Sequence, residues 1–368
     1  MSPRLPTIWP LQPHTAAKHS IFSRHLSAWI PKLAWTRRLE VVDGFAGPGE
    51  YTGGEPGSPV IAIGVARDHQ PTLLRERCRV SFTFVEEDSA RFSNLEARVG
   101  EMEPPVNVAI ALKPGTFVSE MNQLLDSRAG GESPPLFVMI DPFGFEGAPM
   151  ALIRRISTQN RSEVLISFMY DSVTRWLGDS RNESNFDALF GCEDWRGARD
   201  IEDPAQRRDF LLGLYVAQLK GNGWTFTRTF EMKDAANRTE YFLVFATNNI
   251  EGLKVIKEAM WKVDPTGSYT FSDATDRRQL TLFRPEPDYD QLQRIILGRF
   301  GRASQFTIDE LEYFVLTETA FRETHYKGSI LRPMEMRGEL YVIDGRGRPR
   351  RGVYREGTVL RFTAPASG

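Results

Sequence analysis

Val41-Val42-Asp43-Gly44-Phe45-Ala46-Gly47-Pro48-Gly49-Glu50 carries an apolar, β-branched run through an acid into a glycine-rich turn. Leu136-Phe137-Val138-Met139-Ile140-Asp141-Pro142-Phe143-Gly144 repeats the arrangement further along the chain. Both stretches predict buried parallel strands that deliver an acid and a tight loop at their carboxyl ends. In open α/β sheets that edge is where ligands bind. The pair therefore predicts a small-molecule site with a second polar site beside it, and so a reaction.

Working outward, Arg38 to Val42 reads as the first strand, Arg79 to Val85 as the second and Val106 to Leu112 as the third. The Asp141 strand is the fourth, Glu163 to Met169 the fifth, and Glu240 to Thr247 a late one. Helical spacing of Ile21, Phe22, Leu26, Trp29 and Ile30 predicts a helix over 14–33, with Pro31 ending the pattern. Further helices are expected at 60–66, with Ser58 as its cap and Pro59 in the first position, and at 89–99, 116–125 and 252–263. Residues 171–235 read as helical and polar. Strand and helix alternating in this way predict a doubly wound, mostly parallel, Rossmann-like sheet.

The rhythm changes at Pro285-Glu286-Pro287, which resembles a linker. Three helical patterns follow, over 289–299, 308–320 and 326–338, and then two strands bracket an Asp344-Gly345 turn. Three helices closed by a hairpin are the plan of a winged helix. The expected division is an arm and helix over 1–35, the sheet domain over 36–285 and the winged helix over 286–368.

Composition narrows the function classes. A chain of 368 residues with 41% hydrophobic and 26% charged content can build a full core. Its net charge of −2 excludes a wholly basic nucleic-acid binder, so any such contact needs a local patch. Arg346, Arg348, Arg350 and Arg351 at the hairpin tip supply one, suited to phosphate contact. A solvated hairpin is the plainer alternative. Cys78 and Cys192 make neither a disulfide framework nor a zinc site, which points to reducing cytoplasm. No apolar run approaches the roughly 20 residues of a membrane helix. His14 and His19 are not at the i, i+4 spacing of a helical zinc pair, and no metal is expected. Two readings are open for Lys18 and His19: a place beside the first loop or against phosphate, and the plainer one, a surface helix whose apolar face packs on the sheet.

The wording Asp43-x-Phe45-Ala46-Gly47-x-Gly49 resembles the first motif of class I S-adenosylmethionine-dependent methyltransferases. In that family the loop wraps the methionine part and the sugar of the cofactor. The resemblance therefore implies that Asp43, Gly44, Phe45, Gly47 and Gly49 bind S-adenosylmethionine. Glu86, ending the second strand, matches the acid that takes both ribose hydroxyls, a geometry of strong charge-assisted bonds. Its distance from Asp43 is about twice the usual interval of ~20 residues, which places an insertion in 51–78. The family's acid after the third strand is replaced by Lys113-Pro114-Gly115-Thr116-Phe117, leaving Thr116 or a backbone group for that role.

Asp141-Pro142-Phe143-Gly144 stands at the fourth motif of the amino-methylating members, though Phe143 replaces a second proline and Gly144 the aromatic. There Asp141, Pro142 and Phe143 would orient an exocyclic amino group of a base. Such a nitrogen needs alignment and acceptors for its protons. Ser167, Tyr170 and Asp171 would line the substrate mouth.

With His14-Thr15-x-x-Lys18-His19, Gly57-Ser58-Pro59, Phe245-Ala246-Thr247-Asn248 and Ala259-Met260-Trp261 added, the chain resembles the bacterial three-Cys-motif partner proteins over roughly residues 12–365. That family is named for a companion resembling radical S-adenosylmethionine enzymes. It implies a methyltransferase-like fold, and leaves two uses open: methyl transfer to nucleic acid, or a non-catalytic scaffold for the companion in nucleic-acid modification or repair. A nuclease would need a magnesium-binding group of acids, for which Asp141, Glu146 and Asp171 are the nearest candidates.

Overall fold

Strands covered on both faces need continuous apolar side chains, and the centre of this sheet has them. All five residues of β4 (Leu136–Ile140) and all seven of β5 (Ser162–Phe168) are buried. The computed structural model describes residues 6–128, 133–273, 287–343 and 352–363. β1 (Arg38–Asp43), β2 (Arg79–Glu86) and β3 (Val108–Pro114) run parallel to β4 and β5. β7 (Thr239–Thr247) lies antiparallel between β5 and β6 (Phe226–Lys233), and the short β8 (Thr270–Ser272) pairs parallel with β6. The order is β3-β2-β1-β4-β5-β7-β6-β8. The chain thus winds outward from β1 in one direction and resumes at β4 in the other. β1 and β4 are neighbours, paired Asp43 against Met139. Their carboxyl ends flank the topological switch point, where an α/β sheet opens a crevice.

Helices follow the strands: α1 (Pro13–Leu33), α2 (Ser58–Asp68), α3 (Gln70–Arg75), α4 (Ser89–Gly100), α5 (Phe117–Ser127), α6 (Met150–Ser157), α7 (Tyr170–Trp176), α8 (Glu183–Phe190), α9 (Pro204–Gly221) and α10 (Ile250–Val263). Asp88 caps α4, accepting hydrogen bonds from the Ala90 and Arg91 N–H groups. Trp195, Tyr215, Trp224, Phe186 and Phe168 fill one core with the sheet. α1 is tied to the sheet by a buried polar bond: His25 Nε2 meets Glu163 Oε2 on β5 at 2.9 Å. Thr247 on β7 donates to the other oxygen of that carboxylate at 3.3 Å.

Four sequence expectations change. The polar stretch 171–235 contains the strand β6, whose Phe226, Phe230 and Met232 fall on one face at the strand period. Ser58 is the first helical residue of α2 and Gly57 its cap, so the Ser58 hydroxyl is released for another partner. The expected insertion between the first two strands holds α2 and the additional α3. Pro31 lies within α1, which continues to Leu33.

The chain divides into two compact units, Met1–Ala259 with Thr270–Arg277, and Met260–Tyr269 with Arg278–Gly368. The second includes the segment with Trp261, whose indole N–H donates to Ala320 O at 2.8 Å. It also contains α11 (Tyr289–Phe300), β9 (Phe306–Thr307), α12 (Ile308–Glu318), α13 (Arg332–Met336), β10 (Leu340–Val342) and β11 (Val359–Phe362). Thr307 and Glu310 form a capping box on α12. Where one helix was expected over 326–338, a π turn at Lys327–Leu331 precedes the short α13. The strands pair antiparallel in the order β10-β11-β9. Arg346, Arg348, Arg350 and Arg351 lie outside the described residues, as does most of the expected linker.

Candidate active site

The apolar run of β1 draws Asp43 into the interior, where it is 1% exposed. Its Oδ1 accepts from the Phe45 N–H at 3.2 Å, and its Oδ2 is buried without a hydrogen-bond partner. Burial pushes the carboxyl up to about 6, against the lowering effect of the Ser58 hydroxyl and the Phe45 N–H. Asp43 therefore supports the turn from behind, and neither of the two cavities at the sheet rim is lined by it.

This shift has a measurable sign. A carboxyl whose folded pKa lies above its unfolded value of 3.8 favours folding while protonated, and that advantage is lost as pH rises from about 4 through about 6. Asp43→Asn is expected to remove about 3 kcal/mol of this pH dependence. The check is the difference in Tm between the two proteins from pH 4 to pH 7. A constant difference would show that Asp43 does not titrate in this range.

Gly47 and Gly49 have φ of 64° and 84°, which a side chain would strain. The turn they make brings the Gly47 N–H to Glu86 Oε2 at 3.0 Å. Glu86 Oε1 accepts from the Asp88 N–H and from Arg91 Nε, each at 2.9 Å. A carboxylate offers about four lone-pair sites, so one is left at Oε2. A cavity of ≈ 360 Å³ opens beside Glu86, walled by Gly44, Phe45, Gly115, Phe117 and Phe143. Thr116 is not in that wall. Its hydroxyl caps α5 by accepting from the Ser119 N–H at 3.2 Å, and the neighbouring residues Gly115 and Phe117 face the cavity instead.

A second cavity of ≈ 280 Å³ lies on the other side of Phe45, Pro142 and Phe143, which line both. Gly47 and Gly49 reach it from the first loop, Lys18 and His19 from α1, and Asp141 from the end of β4. Trp9, Tyr51, Glu240 and Tyr241 complete its wall. Phe143 is 46% exposed, with the Trp9 ring at 5.3 Å on one side and the Arg91 guanidinium at 4.8 Å on the other. Phe145, the other aromatic near this motif, is buried against Phe186.

Lys18 Nζ donates to Asp141 Oδ2. Burial alone would raise the Asp141 carboxyl; the Lys18 ammonium, its hydrogen bond and the Ser167 hydroxyl outweigh that and hold it below the usual carboxylate range. Lys18 Nζ also lies 5.4 Å from the centre of the Tyr241 ring. Tyr241 is fixed by donating to His14 O at 3.3 Å, and its phenol is pushed well up by burial and by Asp141. His19 is held neutral, at about 3, by burial and by its cationic neighbour Lys18. Its Nε2 is 3.4 Å from the Tyr51 hydroxyl. Glu240 is raised by burial and by Asp171.

The rim thus gathers the loop glycines, Phe45, Glu86, Asp141, Pro142 and Phe143. Of the residues expected at the substrate mouth, Ser167 is buried facing Asp141, Tyr170 packs on Phe242 and Asp171 pairs with Arg175, and none of the three lines either cavity; Met169, which was not expected, lines the second. Trp9, Tyr51, Arg91, Glu240 and Tyr241 were not anticipated. One signal for α1 was available: His14 and Lys18 are one helical turn apart and share a face. Among the described residues, no group of three or more His, Cys, Asp or Glu side chains is placed to hold a metal ion, and Glu146 bonds to Asn185. Among the same residues, no helix is long and apolar enough to cross a membrane.

No protein-family model and no curated protein sequence matches the chain. Among solved structures it is similar to a DUF574 family protein from Streptomyces avermitilis, at 13% identity over 64% of this chain and 84% of that one, with a TM-score of 0.34. It is similar to geranyl diphosphate methyltransferase in complex with GPP and sinefungin, at 12% identity over 61% and 76%, TM-score 0.26. A third is cofactor-bound Rv0187 from MTB, at 14% identity over 63% and 87%, TM-score 0.30.

Proposed function

We propose that this protein is an S-adenosylmethionine-dependent methyltransferase whose acceptor is a nucleic acid. The observation that carries the reading is the pair of cavities at the switch point, separated only by Phe45, Pro142 and Phe143. A donor and an acceptor held in two adjoining chambers meet at their common wall, and alignment is the main demand of a displacement at a methyl carbon. When bound, the cofactor supplies the electrophilic methyl group; no protein nucleophile is needed.

The residues fit that cofactor. The first cavity has the open lone pair of Glu86 for a ribose hydroxyl and a flat wall of Phe117 and Phe143 for a purine. Both hydroxyls would bind Glu86 only if Arg91 gave up its bond to Oε1. The second cavity brings Trp9, Phe45, Tyr51 and Tyr241 together with Asp141 and Glu240, a surrounding suited to a sulfonium. Its rings also suit a nucleobase, for which stacking on an aromatic is worth ~1–3 kcal/mol. In the second unit, the order α11-β9-α12-α13-β10-β11 supports a winged helix, with the arginine-rich segment 344–351 falling in sequence between β10 and β11.

An exocyclic amino acceptor, the expectation from the motif alone, would use Asp141 as a hydrogen-bond acceptor. Lys18 already bonds its Oδ2 and competes for that role, so the acceptor atom is left unassigned in this reading. Titration calorimetry with S-adenosylmethionine tests the reading: saturable heat is expected. Absence of heat at millimolar concentrations would leave the scaffold role beside a three-Cys companion. For the wing, Arg350→Ala with Arg351→Ala is expected to weaken nucleic-acid binding and to reduce the salt slope by about 2. An unchanged slope would remove the wing from the interface.

A further inference from the structure

We propose that the rim of the sheet opposite the candidate active site is a separate nucleic-acid contact, which grips a single strand through its phosphates and stacks one of its bases on Trp35. This goes beyond the methyltransferase reading and shares with it only the class of partner. The observation is a run of cations where the parallel strands begin. Arg37 and Arg38 stand at the start of β1, Arg77 and Arg79 at the start of β2, and Arg161 just before β5; all five are exposed.

The fold brings them together. Arg38 and Arg79 are partners in the ladder between β1 and β2, and the Arg79 N–H donates to Arg37 O at 2.9 Å. Trp35, two residues before Arg37, carries the Arg161 guanidinium 4.7 Å from its ring centre. β2, β1, β4 and β5 are successive strands. At ~4.8 Å apart they spread the cluster over about 14 Å, room for about four nucleotides at ~3.4 Å each.

Charge and backbone both point to a ligand. The acids beside these arginines in sequence are already engaged, Glu40 by Arg128 and Glu76 by Arg75. The cluster therefore keeps an excess of positive charge in a chain whose net charge is −2. Arg37, Arg77 and Arg161 have φ of 64°, 53° and 51°, three of the five residues other than glycine with positive φ among the described residues. Glycine fills such positions at least cost. An arginine there gives up backbone stability, and its exposed side chain adds nothing to the core in return; what it supplies is charge.

Trp35 selects the kind of partner. It is 59% exposed, although a tryptophan is among the side chains a fold gains most by burying. An aromatic ring beside a guanidinium plane is a platform for an unpaired base, and arginine forks suit phosphate. A duplex keeps its bases inside, so ring and cations together fit a single strand.

The test is fluorescence anisotropy with the full chain and labelled oligo-U, oligo-dT and a blunt duplex, over a range of salt. Arg37→Gly with Arg77→Gly removes two cations and leaves a residue suited to positive φ, so Tm is expected to hold or rise. Affinity for the single strands is expected to fall at least about fivefold, and the salt slope by about 1.4. Trp35→Ala is expected to lower single-strand affinity at least about fivefold, with the slope and the duplex affinity unchanged. Arg181→Gln with Arg238→Gln, exposed arginines already paired with Asp179 and Asp234, makes the same change in net charge and is expected to shift affinity less than about twofold. A double glycine variant that binds as the parent does, an equal loss in the charge-matched control, or a Trp35→Ala loss as large on the duplex overturns this assignment alone. Absence of nucleic-acid binding by the parent chain overturns it together with the nucleic-acid acceptor. Absence of cofactor heat overturns the methyltransferase reading and leaves the rim standing.

Discussion

Asp141→Ala is expected to lower methyl transfer by at least about 100-fold, with a smaller loss of S-adenosylmethionine affinity. The carboxylate is held below its usual range by Lys18 and Ser167 and so remains charged through the neutral range. Removing it leaves the Lys18 ammonium, whose side chain is 7% exposed, without its counter-charge. Leaving one partner of a buried pair uncompensated costs about 3–5 kcal/mol. A fall in Tm is therefore expected with the alanine variant. Asp141→Asn separates the two effects, because it keeps shape and a hydrogen-bonding oxygen. It is expected to fold with a smaller loss of Tm and still transfer slowly. Single-turnover transfer with labelled cofactor, set beside calorimetric binding, provides the measurement. A rate equal to that of the parent would remove Asp141 from the chemistry.

Gly44→Ala is expected to be the most damaging substitution in the first loop. A Cβ at this position would sit 2.3 Å from Phe117 Cδ2 and 2.8 Å from Cε2. Phe117 is 2% exposed and packs against Phe45, so its ring has little freedom to retreat. Overpacking of this kind costs about 1–3 kcal/mol. Gly44 and Phe117 both wall the first cavity, so the strain narrows the proposed cofactor chamber as well. Cofactor affinity is expected to fall at least about tenfold, the equivalent of ~1.4 kcal/mol. Phe117→Leu in the same chain makes room and should restore much of the loss. If the double variant binds no better than Gly44→Ala, steric closure is the wrong account.

The two strand-to-turn segments were legible because each joins a buried apolar run to an acid and a glycine turn, a local sign of a strand end at a ligand-binding edge. Their meeting at one rim follows from the parallel order, which alternation of strands and helices already implied. The rest of the site was hidden for physical reasons. Trp9, Tyr51 and Tyr241 come from an arm, a turn and a late strand, and only the tertiary fold brings them to one cavity. The Lys18–Asp141 bond spans 123 positions, so the shared face of His14 and Lys18 is legible in α1 but the acid that meets it is not. Thr116 shows the opposite failure. A hydroxyl after a strand can read a ligand or cap a helix, and here the N–H of Ser119 takes it. β6 was lost because polar residues and scattered tryptophans outweighed its alternation in the surrounding helical stretch.

The bond between His25 and Glu163 gives α1 an index mark near its middle. His25 is seven positions beyond Lys18, close to two full turns and about 10 Å along the axis. Slipping the helix by one residue would rotate it by about 100° and draw the lysine away from Asp141. His25 thus sets the phase of the helix for chemistry that it never touches. The lysine beside Asp141 is held in register by a buried residue of its own helix that lines neither cavity.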